Sequence, residues 1–200
     1  MIAVRLATTS DAPEILDIYT PSITNAAISF ETEIPSEEQM QKRIETVVQK
    51  YPWLVCEVDG KLAGYVYGSN YRDREAYQWS CECTAYIHEE FKGKGVGSAL
   101  YQLLFHLLKL QGFKTVYAVI TLPNEASIKL HEKCGFEKFA EYENVGYKFD
   151  NWHTVGWWKL QINNYDLNPP PPLKVSELDI ETLSDLFQQT AQVIQSKLTG

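Results

Sequence analysis

Apolar and polar residues alternate over Ile2 to Ala7, which predicts a short strand, and Ser10 or Asp11 is placed to cap a following helix with Pro13 in its first turn. Ser36-Glu37-Glu38-Gln39 has the form of a capping box and opens a periodic helical segment that runs to about Lys50, leaving Phe30 and Glu31 in the loop between the two helices. Trp53 to Val58 and Leu62 to Tyr67 read as strands joined at Asp59-Gly60, a dipeptide suited to a tight hairpin turn. A further strand is predicted over Gln78 to Ile87. Leu100 to Leu110 shows a dense helical stripe stopped by Gly112, and Thr115 to Ile120 is a β-branched strand. A helix over about Glu125 to Lys133 ends at Gly135, and two closing strands centre on Phe139 and Val155. This order predicts an α/β (α+β) domain whose central, largely antiparallel mixed sheet is flanked by helices.

Pro169 to Pro172 interrupts the pattern as a stiff polyproline spacer, so residues 1–165 are expected to form the folded domain and 166–200 a linker and C-terminal helix. Ile180, Leu183, Phe187, Ile194 and Leu198 line one side of that amphipathic helix, which would dock on its own domain or on a dimer mate, the alternative being a helix that binds a partner. A homodimer is expected.

Composition narrows the functional classes. The 200 residues, 44% hydrophobic with a net charge of -8, suit a soluble domain and oppose a nucleic-acid partner, because no run of Lys and Arg offsets the acidic residues. No apolar run approaches the roughly 18 residues of a membrane span. The segment Met1 to Arg5 lacks the order of a signal peptide, so a cytoplasmic location without a membrane partner is expected. The four cysteines, Cys56, Cys81, Cys83 and Cys134, are too scattered for a disulfide framework. Cys81-Glu82-Cys83 is spaced too closely for a usual zinc pair, and no metal is expected.

The strongest local signal is Lys92-Gly93-Lys94-Gly95-Val96-Gly97, between a predicted strand and the helix that begins near Ser98. A pyrophosphate needs several amide donors aimed at one place, and a glycine-rich turn feeding a helix N-terminus supplies them with the positive end of the helix dipole. The plain alternative is a tight turn. A P-loop is excluded because Gly-Lys-Ser/Thr does not follow at the required spacing, and the dinucleotide pattern lacks its ribose-binding acid.

This turn resembles the Gln/Arg-x-x-Gly-x-Gly/Ala signature of the GNAT acetyltransferases, with Lys92 where Gln or Arg is usual. Asn124 to Phe136 resembles the same superfamily's later motif. Phe30 to Glu33, Tyr71 to Tyr77, Glu82 to Ile87, Ser127 to Phe136, and Val145 to Phe149 followed by Trp152 resemble, within it, the phosphinothricin and methionine-sulfoximine acetyltransferases over about residues 2 to 162. The chain departs from that pattern at Ser80-Cys81, where Thr-Val is usual, and at Asn151, where Arg is usual.

The resemblance implies a GNAT fold and acetyl transfer from acetyl-CoA to the amine of a small amino-acid-like molecule. It implies main-chain contacts to the cofactor at Ala85, Tyr86 and Ile87, with an oxyanion donor near Tyr86 or Ile87. Lys92, Gly93, Lys94, Gly95, Val96, Gly97 and Ser98 would hold the pyrophosphate, and Asn124 and Ser127 the pantetheine arm. An ammonium with a pKa near about 10 must lose a proton before it attacks, and Glu82, among largely uncharged β-forming neighbours, is the candidate general base, as the resemblance also implies. His131 stands where the subfamily has a histidine thought to assist acid-base chemistry; on an apolar helix face it could equally be structural. Arg72 and Arg74 are candidate donors to an anionic substrate, with Tyr77 as a further donor and Phe30 as an apolar wall. Two other readings remain: an acetyltransferase for protein or peptide N-termini, and an acyl-CoA sensor without catalysis.

Overall fold

Alternation along the strands gives the sheet two apolar faces, and each is covered by helices. The computed structural model describes residues 1–199. Its elements run β1 (Ile2–Leu6), α1 (Ala12–Thr24), α2 (Glu37–Val47), β2 (Trp53–Val58), β3 (Lys61–Asn70), β4 (Ser80–Ile87), α3 (Val96–Gln111), β5 (Thr115–Leu122), α4 (Glu125–Lys133), β6 (Glu137–Lys148), β7 (Asn151–Gln161) and α5 (Ile180–Thr199). The sheet has seven strands in the order β1-β2-β3-β4-β5-β7-β6. All neighbours are antiparallel except β4 and β5.

Leu54 and Cys56 of β2 point to one side, where Cys81, Cys83, Val116, Ala118 and Ile120 meet the buried stripe of α3. Trp53 and Val55 point to the other and pack with Ile15, Ile18 and Ile23 of α1 and Met40 and Ile44 of α2. The β2-β3 turn has positive φ at both Asp59 (51°) and Gly60 (81°), the geometry that matches the twist of a two-residue hairpin. Ser36 caps α2 as its sequence predicts, accepting from the Gln39 N–H while the Gln39 side chain returns to the Ser36 N–H.

Five expectations change. Asp11 does not cap α1 with its side chain; the carboxylate is taken by the Arg5 guanidinium (2.7 Å and 2.8 Å) and the Thr8 N–H (2.7 Å). β4 begins at Ser80, because Trp79 is diverted to other partners: its indole N–H donates to the Pro170 carbonyl (2.8 Å) and its own carbonyl accepts from Lys114 N–H (2.8 Å). α3 begins at Val96, one turn-half before Ser98, and α2 ends at Val47. Beyond the proline run, α5 packs on β1 and α3, burying Leu183 and Ile194, yet Ile180 is left exposed at its first residue. Burial of two such aliphatic side chains contributes about 1.5 to 3 kcal/mol each. Gln111 of α3 holds the connecting segment through Leu173, giving its amide to the Leu173 carbonyl (2.7 Å) and its main-chain carbonyl to the Leu173 N–H (2.8 Å).

Candidate active site

β4 and β5 pair at only three positions, Ser80 with Thr115, Cys81 with Val116 and Glu82 with Tyr117. Beyond Glu82 the two strands part, since β4 stays in register with β3 to Ile87 while β5 stays with β7 to Leu122. The His88 N–H donates to the Ala63 carbonyl, so alternation turns the N–H groups of Tyr86, Thr84 and Glu82 toward β3. Those of Ala85 and Ile87, past the last pair with β5, face the opening. A main-chain edge inside a sheet is thereby left for a ligand to use.

The glycine turn lies at the mouth of this fork. Gly93 has φ of 74° and nothing within 4 Å of where a Cβ would stand; Gly95, with φ of 80°, is the N-cap of α3. Gly97 packs closely on Ile87 and Leu130, joining α3 to β4 and α4. Ala99 is the first residue whose N–H returns to the cap, at 3.1 Å from the Gly95 carbonyl, and the N–H groups of Val96, Gly97 and Ser98 have no acceptor within the helix. Open space, positive φ and these amides fit a pyrophosphate. The Lys92 ammonium is paired with Glu89, while Lys94 lies over the Phe91 ring at 5.8 Å. At the far side of the fork Asn124 caps α4, its side-chain oxygen accepting from Ser127 N–H at 3.1 Å, which leaves its amide N–H groups for another partner.

Glu82 stands at the last paired position, and alternation points it to the face opposite the buried thiols of Cys81 and Cys83. It is half-buried, and desolvation pushes its carboxyl above the usual range, with the nearby Arg72 charge offsetting part of the rise. Its register partner Tyr117 stacks on Tyr71 (4.5 Å between centroids), and the Arg72 guanidinium lies over the Tyr71 ring at 5.0 Å. Arg72, Asp73, Arg74 and Tyr77 line a hollow of about 350 Å³ on this loop. Both arginines are exposed.

Phe30 belongs to a loop anchored from the far end of the sheet. Buried Lys148 donates to the carbonyls of Ser29 and Glu31, both at 2.7 Å, and Glu31 pairs with Arg43 of α2 at 2.7 Å. The Phe30 ring lies on Gly146, where an added Cβ would come within 2.2 Å of it. The Tyr86 N–H serves β3, and its ring packs edge-on against Tyr19 at 4.9 Å. Ile87 is therefore the N–H of that pair facing the fork.

His131 is buried on the α3 side of the sheet, away from the face that Glu82 occupies. Its Nδ1–H donates to the Ser127 carbonyl (2.8 Å), and its Nε2 accepts from the Tyr101 hydroxyl (3.1 Å). Burial lowers its pKa, partly opposed by the Ser127 bond, so the imidazole is neutral near pH 7 with both nitrogens engaged. Among the described residues no group of three His, Cys, Asp or Glu side chains could hold a metal, and no helix is long and apolar enough to cross a membrane.

Sequence alone gives no individual role to Tyr71, Tyr101 and Tyr117. Tyr101 falls within the apolar stripe of α3 and reads as core; the stack of Tyr71 on Tyr117 joins residues far apart in the chain and has no local signal.

A forked mixed sheet with an amide-rich glycine turn at its mouth agrees with the match of residues 4–157 to the family model described as an acetyltransferase (GNAT) domain. The chain belongs to the GNAT acetyltransferase family. This GNAT chain is 36% identical to a phosphinothricin N-acetyltransferase of Streptomyces viridochromogenes over 170 residues, 85% of this chain and 91% of that one. It is 31% identical to the L-methionine sulfoximine/L-methionine sulfone acetyltransferase of Pseudomonas aeruginosa over 163 residues, 80% and 95% of the two chains. The solved GNAT phosphinothricin acetyltransferase of Sinorhizobium meliloti in complex with AcCoA superposes with a TM-score of 0.79 at 29% identity, covering 87% of this chain and 98% of that one. The family match ends at residue 157, before α5 begins at Ile180.

Proposed function

We propose that this GNAT acetyltransferase moves the acetyl group of acetyl-CoA to the amine of a small, anionic amino-acid-like substrate of the phosphinothricin or methionine sulfoximine/sulfone type. The observation that carries the reading is the half-buried carboxyl of Glu82, with raised pKa, at the apex of the fork and beside the loop that bears Arg72 and Arg74. The names of the relatives agree with it.

In this reading Gly93 to Ser98 hold the pyrophosphate, the edge of β4 at Ala85 and Ile87 aligns the pantetheine arm, and the Asn124 amide with Ser127 borders it from α4. Arg72, Arg74 and Tyr77 receive the acidic end of the substrate, and Phe30 walls its side chain. Glu82 takes a proton from the substrate ammonium, directly or through one water. The freed amine attacks the thioester carbonyl carbon, and the Ile87 N–H donates to the oxygen as it gains charge. Collapse breaks the carbon–sulfur bond, and the proton that the newly bonded nitrogen sheds on becoming an amide passes through solvent to the departing thiolate. His131 enters as a neutral brace between α4 and α3, because its nitrogens are already spent on Ser127 and Tyr101. We further infer a homodimer, supported by the exposed side chains of Tyr147 (57%), Phe149 (51%) and Trp152 (63%) along the β6-β7 edge.

The test is a thiol-release assay with acetyl-CoA against phosphinothricin, methionine sulfoximine, methionine sulfone, ordinary amino acids and short peptides. Turnover should be greatest with one of the first three. Peptides in first place would assign the enzyme to protein N-termini, and binding of acetyl-CoA without any turnover would make it a sensor.

A further inference from the structure

α5 lies outside the family match, yet its last turn reaches the glycine turn. The Lys197 stem lies across Gly95, with Cδ 2.6 Å and Nζ 3.4 Å from the position a Cβ would take there. Its ammonium stands 3.4 Å from the Ser98 hydroxyl, and its charge is felt by the Cys134 thiol at the end of α4. The group thus sits over the N-terminus of α3, on the side that faces α4. Packing of Ile194 and Leu198 on either side of it in α5 fixes that placement.

Charge explains why a cation there matters. The chain carries a net charge of -8, and of the two cations in the turn itself Lys92 is paired with Glu89 while Lys94 lies over the Phe91 ring. Among the described residues, Lys197 has no carboxylate within 4.0 Å. Its aliphatic stem covers Gly95, and its charged end is presented beside the unpaired N–H groups of Val96, Gly97 and Ser98.

We propose that Lys197 is a ligand to the pyrophosphate of acetyl-CoA, so that the appended helix α5 completes the cofactor site. This rests on the reading of Gly93 to Ser98 as the pyrophosphate turn. Docking of α5 then acts on cofactor affinity and leaves the acetyl-transfer chemistry at Glu82 alone.

The experiment is titration calorimetry of the full chain with acetyl-CoA and with S-acetylpantetheine, which lacks the pyrophosphate. Lys197→Met keeps the stem over Gly95 and removes the charge. Acetyl-CoA affinity should fall roughly fivefold to twentyfold, the salt dependence of binding should flatten, and S-acetylpantetheine binding should not change. Lys197→Arg should stay within about threefold of the parent. An unchanged melting temperature without ligand excludes undocking of α5, whose buried contacts are Leu183 and Ile194. If Lys197→Met binds acetyl-CoA as tightly as the parent, or more tightly, the assignment is overturned; tighter binding would mean that the ammonium obstructs the turn. If the parent itself binds both compounds equally well, the pyrophosphate reading of the turn fails and the proposal fails with it.

Discussion

Glu82 is held above the normal carboxylate range by desolvation, with Arg72 pulling the other way. In the proposed role of general base, a carboxyl with a raised pKa works only above that pKa, so the acid limb of kcat/KM should lie above the usual glutamate pKa. Removing the opposing charge with Arg72→Gln should move that limb further up in pH, and Glu82→Gln should abolish it while lowering turnover by roughly 100-fold or more. A pH-rate series on the three proteins measures both. For Arg74 the proposed role is selectivity: Arg74→Ala should lower kcat/KM by roughly tenfold for an anionic amino acid and much less for a simple alkylamine. Equal losses would make it a loop-holding residue. Its exposure keeps the expected loss at the lower end of what a charge-assisted bond gives. The partial desolvation of Glu82 was legible because it lies among β-forming, largely uncharged neighbours. The surroundings of His131 were not legible, since its contact with Tyr101 depends on how α4 lies against α3.

At the scale of elements, the β6-β7 hairpin supports the Phe30 loop through Lys148. Lys148→Met leaves two carbonyls without their donor, at a cost of about 1 to 3 kcal/mol in local order. The expected result is a raised KM for the amine with unchanged acetyl-CoA affinity; a uniform loss of both would mean that the hairpin carries the whole sheet edge. Most elements could be read from the chain because their signals are local, as with Ser36-Gln39 and Asp59-Gly60. The misplaced ends are those settled by distant partners. Trp79 has strand-forming character, but its bonds to Lys114 and Pro170 take it out of β4. Asp11 is a good helix cap by type, yet Arg5 from β1 claims it. The Val145-to-Phe149 stretch was visible as a motif, whereas its grip on residues 29 to 31 depends on a contact across more than half the chain.

For the whole molecule, the aromatic edge around Trp152 sets the expected assembly. Light scattering should give a dimer, and Trp152→Glu should shift it toward monomer; an unchanged mass would move the interface elsewhere. Placement of Lys197 lay beyond local reading, because which residues of α5 meet the glycine turn depends on how the helix crosses α3. The three-position seam between β4 and β5 has a dynamic consequence as well. The sheet is two plates sharing a short weld, and its middle is where hydrogen exchange should be uneven from one residue to the next. In the ligand-free protein, amide protons of Ala85 and Ile87 should exchange quickly although they sit in a central strand, while those of Thr84 and Tyr86, held by β3, exchange slowly. An acyl-CoA that lays its own amides along that edge would act as the missing strand, slowing the odd-numbered protons and stiffening one plate against the other.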